Sequence, residues 1–147
     1  MRTAILLALA LSALCAALPR EAGAQHCGGP ANRARVVRNY IHDVGYGGIG
    51  NLSSADFLAA ENLIDTITPG TAGNAYGLFV SKRLTGETTP TRGTMSKNIV
   101  KTVAVWEGID THGATFYTIN DNVVSGCKIG IQVGPDSFGN VPHFTTI

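Results

Sequence analysis

Residues 97–109 read Lys-Asn-Ile-Val-Lys-Thr-Val-Ala-Val-Trp-Glu-Gly-Ile, and this stretch decides the fold. It runs from an asparagine through β-branched residues to a Gly-aliphatic pair. Three other stretches have the same two ends. Asn39 leads through Ile41 to Gly48-Ile49, Asn62 through Ile64 to Gly77-Leu78, and Asn122 through Val124 to Gly130-Ile131. The asparagines are spaced by 23, 36 and 24 residues. A recurrence in this range marks stacked repeats, in which each unit buries its apolar face against the next.

The units are too short for strands joined by helical crossovers. Val36–Ile41, Asn98–Val105, Ala114–Ile119 and Lys128–Val133 are rich in β-branched and aromatic residues, as strands are. The best helical candidate, Phe57–Ala60, is soon followed by Asn62 and the β-branched Ile64. The pattern predicts an all-β chain that coils, with two or three short strands per turn and like phases stacked. Asparagine is expected at one corner, in left-handed backbone geometry, its amide bonded to the asparagine of the next layer. Glycine is expected at the other corner, with the following aliphatic residue pointing inward. Both long intervals belong to the second unit, which places insertions at Asp65–Ala75 and Lys82–Gly93.

These four units resemble the right-handed parallel β-helix superfamily, the pectate-lyase-like fold, over about residues 35–135. The resemblance implies a solenoid of about four to five coils. No amphipathic capping helix precedes the end at His143-Phe144-Thr145-Thr146-Ile147. The expectation is therefore an incomplete β-helix, truncated at its C-terminus and prone to end-to-end self-association.

Arg2, the apolar run Ile5–Leu18 and the small-x-small Ala22-Gly23-Ala24 have the three parts of a secretory signal. Residues 1–24 are thus expected to be a signal peptide and residues 25–147 the β-helix domain of a secreted or periplasmic protein, with no membrane segment after cleavage. A formal net charge of +1 gives no basic stripe for nucleic acid. Cys27 and Cys127 fall at opposite ends of the repeat. Layers about 4.8 Å apart keep them beyond disulfide reach.

Aligning the units on the Gly-aliphatic pair puts Ile49, Leu78, Ile109 and Ile131 inward. Gly50, Phe79, Asp110 and Gln132 then face outward, followed two residues on by Leu52, Ser81, His112 and Gly134. Asp110 and His112 share a solvent face in this register. The insertion after Ser81 brings Lys82, Arg83 and Arg92 toward them. Long loops on a regular scaffold are where function sits.

The segment Trp106–Gly113, WEGIDTHG, resembles the Tyr-Gly-Phe-Asp-Pro-His-Asp segment of the mannuronan C5-epimerases, β-helix enzymes acting on alginate. Their glycine, aspartate and histidine match Gly108, Asp110 and His112. Glu107 stands at their tyrosine position, Thr111 at their proline and Gly113 at their final aspartate. The resemblance implies a polysaccharide-active site.

The chemistry also follows from the residues. Lyases and epimerases of uronic acids remove the C5 proton, which needs a base in reach and positive charge or a protonated acid against the carboxylate. His112 suits the base. Asp110, Arg83 and Arg92 complete the expected catalytic set, and Phe79, Ser81, Lys82 and Gln132 are the expected substrate contacts. Hydrolysis needs two carboxylates. Glu107 and Asp110 are candidates, but an odd interval puts them on opposite faces of a regular strand. No metal site is expected, because no third ligand stands at a defined spacing from Asp110 and His112. Calcium stays open as a cofactor of acidic-sugar chemistry. Three readings remain open: a polysaccharide lyase or epimerase, a non-catalytic β-helix that binds glycans or surfaces as adhesin and tailspike shafts do, and a purely structural fragment.

Overall fold

The computed structural model describes residues 32–147, apart from residues 83, 84 and 87. The expected signal peptide, Cys27 and Arg83 lie outside the described residues. Ten strands and no helix are found among the described residues. They are β1 (Arg35–Val37), β2 (Tyr40–Gly45), β3 (Gly47–Leu52), β4 (Ala55–Ala60), β5 (Leu63–Thr68), β6 (Tyr76–Ser81), β7 (Thr91–Ser96), β8 (Ile99–His112), β9 (Thr115–Asn120) and β10 (Val123–Gly134).

The protein is all-β, and every strand pairing is parallel. One sheet has the order β1-β4-β7-β9. The other has the order β2-β5-β8-β6-β3, with β10 on β8. Early repeats use two separate strands where later repeats use one. The first part of β8 pairs with β5 through Ile99–Lys101, and its last part pairs with β6 through Glu107–Thr111. After β10 the chain returns to the first sheet, where His143 and Thr146 bridge to Thr115 and Thr118.

The expected register holds. Ile41, Ile64, Val100 and Val124 form one column, and Ile49, Leu78, Ile109 and Ile131 another. Their inner members make up much of the apolar core, with Phe57, Ala59, Met95, Tyr117 and Ile119 closing it from the first sheet. Burial per side chain is worth about 1.5–3 kcal/mol for residues of this size. On β10, Val123, Ile129, Ile131 and Val133 are exposed.

Asn39, Asn62, Asn98 and Asn122 do form one column. Each Nδ2 donates to the Oδ1 of the next, at 3.0, 2.9 and 2.9 Å. Each Oδ1 also accepts from the backbone N–H of the asparagine before it, at 3.0, 3.1 and 2.9 Å. The remaining amide hydrogens go to the carbonyls of Val37, Val36, Ala59 and Met95. Asn62 and Asn98 are buried at 1% and 0% exposure, so a complete set of bonds is what makes their burial tolerable.

One expectation about this corner is corrected. The left-handed residues are those before each asparagine: Arg38, Glu61, Lys97 and Asp121, with φ of 60°, 56°, 55° and 56°. The bend falls there, and it aims the following amide into the ladder. A non-glycine residue costs roughly 1–2 kcal/mol in this geometry, which the ladder offsets. These corner side chains alternate in charge, and Arg38 Nε donates to Glu61 Oε2 at 2.7 Å. The insertions are also shorter than expected. Asp65–Thr68 belongs to β5 and Thr91–Gly93 to β7, leaving residues 69–75 and 82–90 between strands.

Candidate functional site

The outward positions of β6 and β8 make the site. Gly50, Phe79, Asp110 and Gln132 stand in register. So do Gly47, Tyr76, Glu107 and Ile129. Gly77 and Gly108 lie between these two columns. A Cβ on Gly77 would strike Val100 and the Gly108 carbonyl, and one on Gly108 would strike Val124. Both glycines thus face the core, beside Leu78 and Ile109, which face it too. Two successive inward residues break the alternation. Tyr76 and Phe79, three apart, therefore share a side, with ring centroids 5.1 Å apart.

Glu107 and Asp110 stand in the same two columns one pass later, so they share that side as well. The expectation of opposite faces fails because the strand is not regular at Gly108. Tyr46 joins the set from the one-residue connection between β2 and β3. Its ring meets Tyr76 at 5.6 Å and Phe79 at 5.7 Å, both edge-on.

Asp110 was expected on the solvent face. It does point away from the core, yet it is 0% exposed, because the aromatic rings crowd this side. His112 Nδ1 lies 2.7 Å from Asp110 Oδ2, a short contact off the ideal hydrogen-bond line, and Asp110 Oδ1 has no partner. Glu107 is 1% exposed, and its Oε2 has no partner either. Burial pushes the Asp110 carboxyl above its ordinary value, against the pull of His112. Burial also raises Glu107, and the Asp110 charge raises it further. Contact with Asp110 raises His112, with Glu107 and Asp136 adding to the effect against its own burial. The Tyr46 and Tyr76 phenols are raised, chiefly by burial.

His112 is half-buried and lines a pocket of about 310 Å³. Tyr46, Tyr76 and Phe79 form its apolar walls, and Asn74, Ser81 and Ser137 supply polar atoms. Asn74 comes from the 69–75 connection and donates to the Tyr76 hydroxyl at 3.2 Å. Ser137 sits on a turn organised by Asp136, whose Oδ1 accepts from the backbone N–H of Phe138 and Asn140 at 2.9 and 2.8 Å.

The other expected residues divide. Phe79 lines the pocket but is 4% exposed, so it is a packed wall and not a displayed ring. Ser81 lines the pocket with its hydroxyl turned to the Lys82 carbonyl at 3.1 Å. Lys82 Nζ lies 5.7 Å from the Phe138 ring centroid, beside the pocket. Gln132 is in the Asp110 column, one pass later, and does not line the pocket.

Arg92 is a correction. It lies in β7 on the other sheet, with Nε 2.7 Å from Asp56 Oδ1. Strand β7 begins at Thr91, which carries Arg92 away from the insertion and stacks it on Asp56. Among the described residues no three His, Cys, Asp or Glu side chains are grouped to hold a metal ion.

Sequence reading missed Tyr46, Tyr76, Asn74 and Ser137. Tyr76 was findable, because it precedes Gly77 as Glu107 precedes Gly108. Asn74 and Ser137 lie in connections outside the repeat and carried no signal. Comparison with family models, with curated proteins and with solved structures gave no match.

Proposed function

We propose that the chain is an exported right-handed parallel β-helix whose pocket carries out proton transfer on an acidic polysaccharide, as a lyase or epimerase does. The all-parallel register and the asparagine ladder support the helical fold. The single observation that supports the activity is His112. Its Nδ1 is held against a fully buried carboxylate, Nε2 is the ring nitrogen outside that contact, and the ring lines a pocket of about 310 Å³.

In this mechanism His112 Nε2 takes the C5 proton of a uronic acid unit. The electron pair moves toward the sugar carboxyl as an enolate. Elimination then breaks the C4–O bond, or a proton returns to the opposite face of C5. Tyr76 and Tyr46 stay neutral phenols in their buried setting and can donate to the leaving oxygen or to C5. Asp110 acts through His112, strengthening it as a base and setting its orientation. Lys82 is a described cation beside the pocket that can meet the sugar carboxylate. Hydrolysis by paired carboxylates is less well supported, since neither Glu107 nor Asp110 lines the pocket.

The second reading is a glycan-binding module without turnover. Three mutually packed rings lining the pocket favour it. One experiment separates the two. His112→Ala should abolish formation of unsaturated or epimerised product from alginate or polygalacturonate while preserving affinity. Product formation unchanged in that variant would sink the catalytic reading. Tyr76→Phe then tests the walls, because Phe79→Ala would open a cavity in the fold and confuse stability with binding.

A further inference from the structure

The outer face of the first sheet lies away from the pocket and carries its own pattern. One column runs Arg35, Leu58, Thr94, Thr118 and Thr146. The neighbouring corner column runs Arg33, Asp56, Arg92, Phe116 and Phe144, all with positive φ. Phe116 and Phe144 are 54% and 76% exposed and stack face to face, with centroids 5.0 Å apart and planes 8° apart. Asparagine, aspartate and glycine suit this backbone geometry, and a phenylalanine is strained in it. Each ring therefore sits at a strained corner and also exposes apolar surface to water. Strain retained with no packing return in the core is a pointer to function.

Beside the rings is a groove of about 400 Å³, floored in part by Leu58 and Gly93 and edged by Arg35, Arg92, Thr94 and Thr118. The two columns hold three cations, Arg33, Arg35 and Arg92, against one anion, Asp56, a surplus of two. Arg92 is already paired with Asp56. Arg35 is exposed and outside any ion pair of the described residues. The Thr94 and Thr118 hydroxyls make no side-chain hydrogen bond among the described residues.

We infer that this face is a docking surface for an acidic polysaccharide chain. The flat ring pair receives the apolar C–H face of a sugar, the threonine hydroxyls exchange hydrogen bonds with its hydroxyls, and Arg35 takes a carboxylate. Successive strands lie about 4.8 Å apart, so a polymer running across the strands meets Arg35 on one pass and the threonines and stacked rings on later ones. The site engages polymer and holds it while the pocket acts on individual units. The ligand class rests on the function proposed for the pocket, whereas the position of the site does not.

The test is affinity electrophoresis of the full chain through gels containing alginate, polygalacturonate or neutral dextran. Phe116→Asn suits the corner backbone and removes exposed apolar surface, so its melting temperature should hold or rise. Its affinity for the acidic polymers should fall about tenfold, the scale of one lost ring contact. Phe144→Asn, at the more exposed ring, should act in the same direction and serves if the first variant folds poorly. Arg35→Gln should reduce preference for the acidic polymers over dextran. Unchanged retention of both asparagine variants on every polymer would overturn the inference, as would a wild-type chain that no polymer retards. A dimer that Phe116→Asn converts to monomer would overturn it too, by marking the face as a contact between copies. Loss of polymer binding in Phe116→Asn with full turnover in His112→Ala would leave this site standing and the pocket reading refuted.

Discussion

Two places in this protein bury polar side chains to the same depth and treat them in opposite ways. At the asparagine corner, Asn62 and Asn98 are 1% and 0% exposed, and both oxygen and nitrogen of each amide are bonded. At the pocket, Glu107 and Asp110 are 1% and 0% exposed, and carboxylate oxygens of both lack hydrogen-bond partners. A neutral amide with four bonds stabilises the stack. A carboxylate without them is a standing cost that raises its own proton affinity and that of its neighbour. The first arrangement repeats in every pass. Among the described residues the second is confined to Glu107 and Asp110, near the 69–75 connection that supplies Asn74. Satisfied burial is distributed along the corner, and unpartnered buried carboxyl oxygens are concentrated beside the pocket.

The sharpest way to break this comparison is through activity. His112→Ala should lower turnover of an acidic polysaccharide by about 10²–10⁴-fold, the range for a lost acid–base group. Its melting temperature should fall far less than its activity, because the ring is outside the apolar core, although Asp110 loses the contact that offsets its burial. A variant that melts early and loses activity in proportion would show that His112 is merely structural.

The next effect is on stability. Asn98→Ala removes bonds to Asn122 Oδ1 and the Ala59 carbonyl and orphans the N–H groups of Asn62. It should cost about 3 kcal/mol, given about 1–3 kcal/mol per buried group left unpaired. Asn39→Ala, at the half-buried end of the ladder, should cost about 1 kcal/mol. Equal losses at the two positions, read by urea denaturation, would show that the ladder does not distinguish its middle from its end.

A smaller effect separates the two regions by pH. Glu107 and Asp110 are raised from ordinary values of 4.5 and 3.8, and His112 from 6.5. A group raised on folding contributes stability that is present below its unfolded pKa and is lost as pH climbs through the folded one. All three therefore make stability decline as pH rises, the carboxyls from about pH 4 upward and His112 above 6.5. The exposed Asp56 and Glu61, lowered by hydrogen bonds from Arg92 and Arg38, act oppositely but finish titrating at lower pH. Glu107→Gln should thus raise the melting temperature at pH 8 and leave it unchanged at pH 4. Asn98→Ala should shift the whole curve by a constant amount. A pH-independent gain in Glu107→Gln would remove the electrostatic explanation.

The smallest expected effect belongs to the corner charges. Arg38→Ala breaks an exposed pair with Glu61, and such pairs contribute little against solvent and salt. No measurable change in melting temperature is expected. A clear loss would mean that the alternating charges at the left-handed positions hold the stack as the asparagines do.

The repeat was legible because it is dictated locally. An asparagine after a tight bend and a β-branched residue two places on answer to backbone geometry and burial, whereas the glycine before the aliphatic residue, expected at a corner, lies inside a strand and answers to the close approach of the next pass. Their spacing in the chain gave the columns of Asn39–Asn122 and Ile49–Ile131, and the register of Phe79, Asp110 and Gln132 with them. What the residues alone could not give was the local departure from alternation at Gly77 and Gly108. Glycine fits either face, and only the approach of Val100, Val124 and neighbouring carbonyls sets which one. That choice put Glu107 beside Asp110 and Tyr76 beside Phe79. The pocket's remaining walls, Tyr46, Asn74 and Ser137, come from connections with no repeat to register them, and Arg92 went to the other sheet because strand pairing with β4 outweighed any pull toward the pocket. The sequence determined which residues stack, since stacking follows a period. The tertiary structure decided which of them meet across the period, since that depends on how irregular segments fold back on a regular frame.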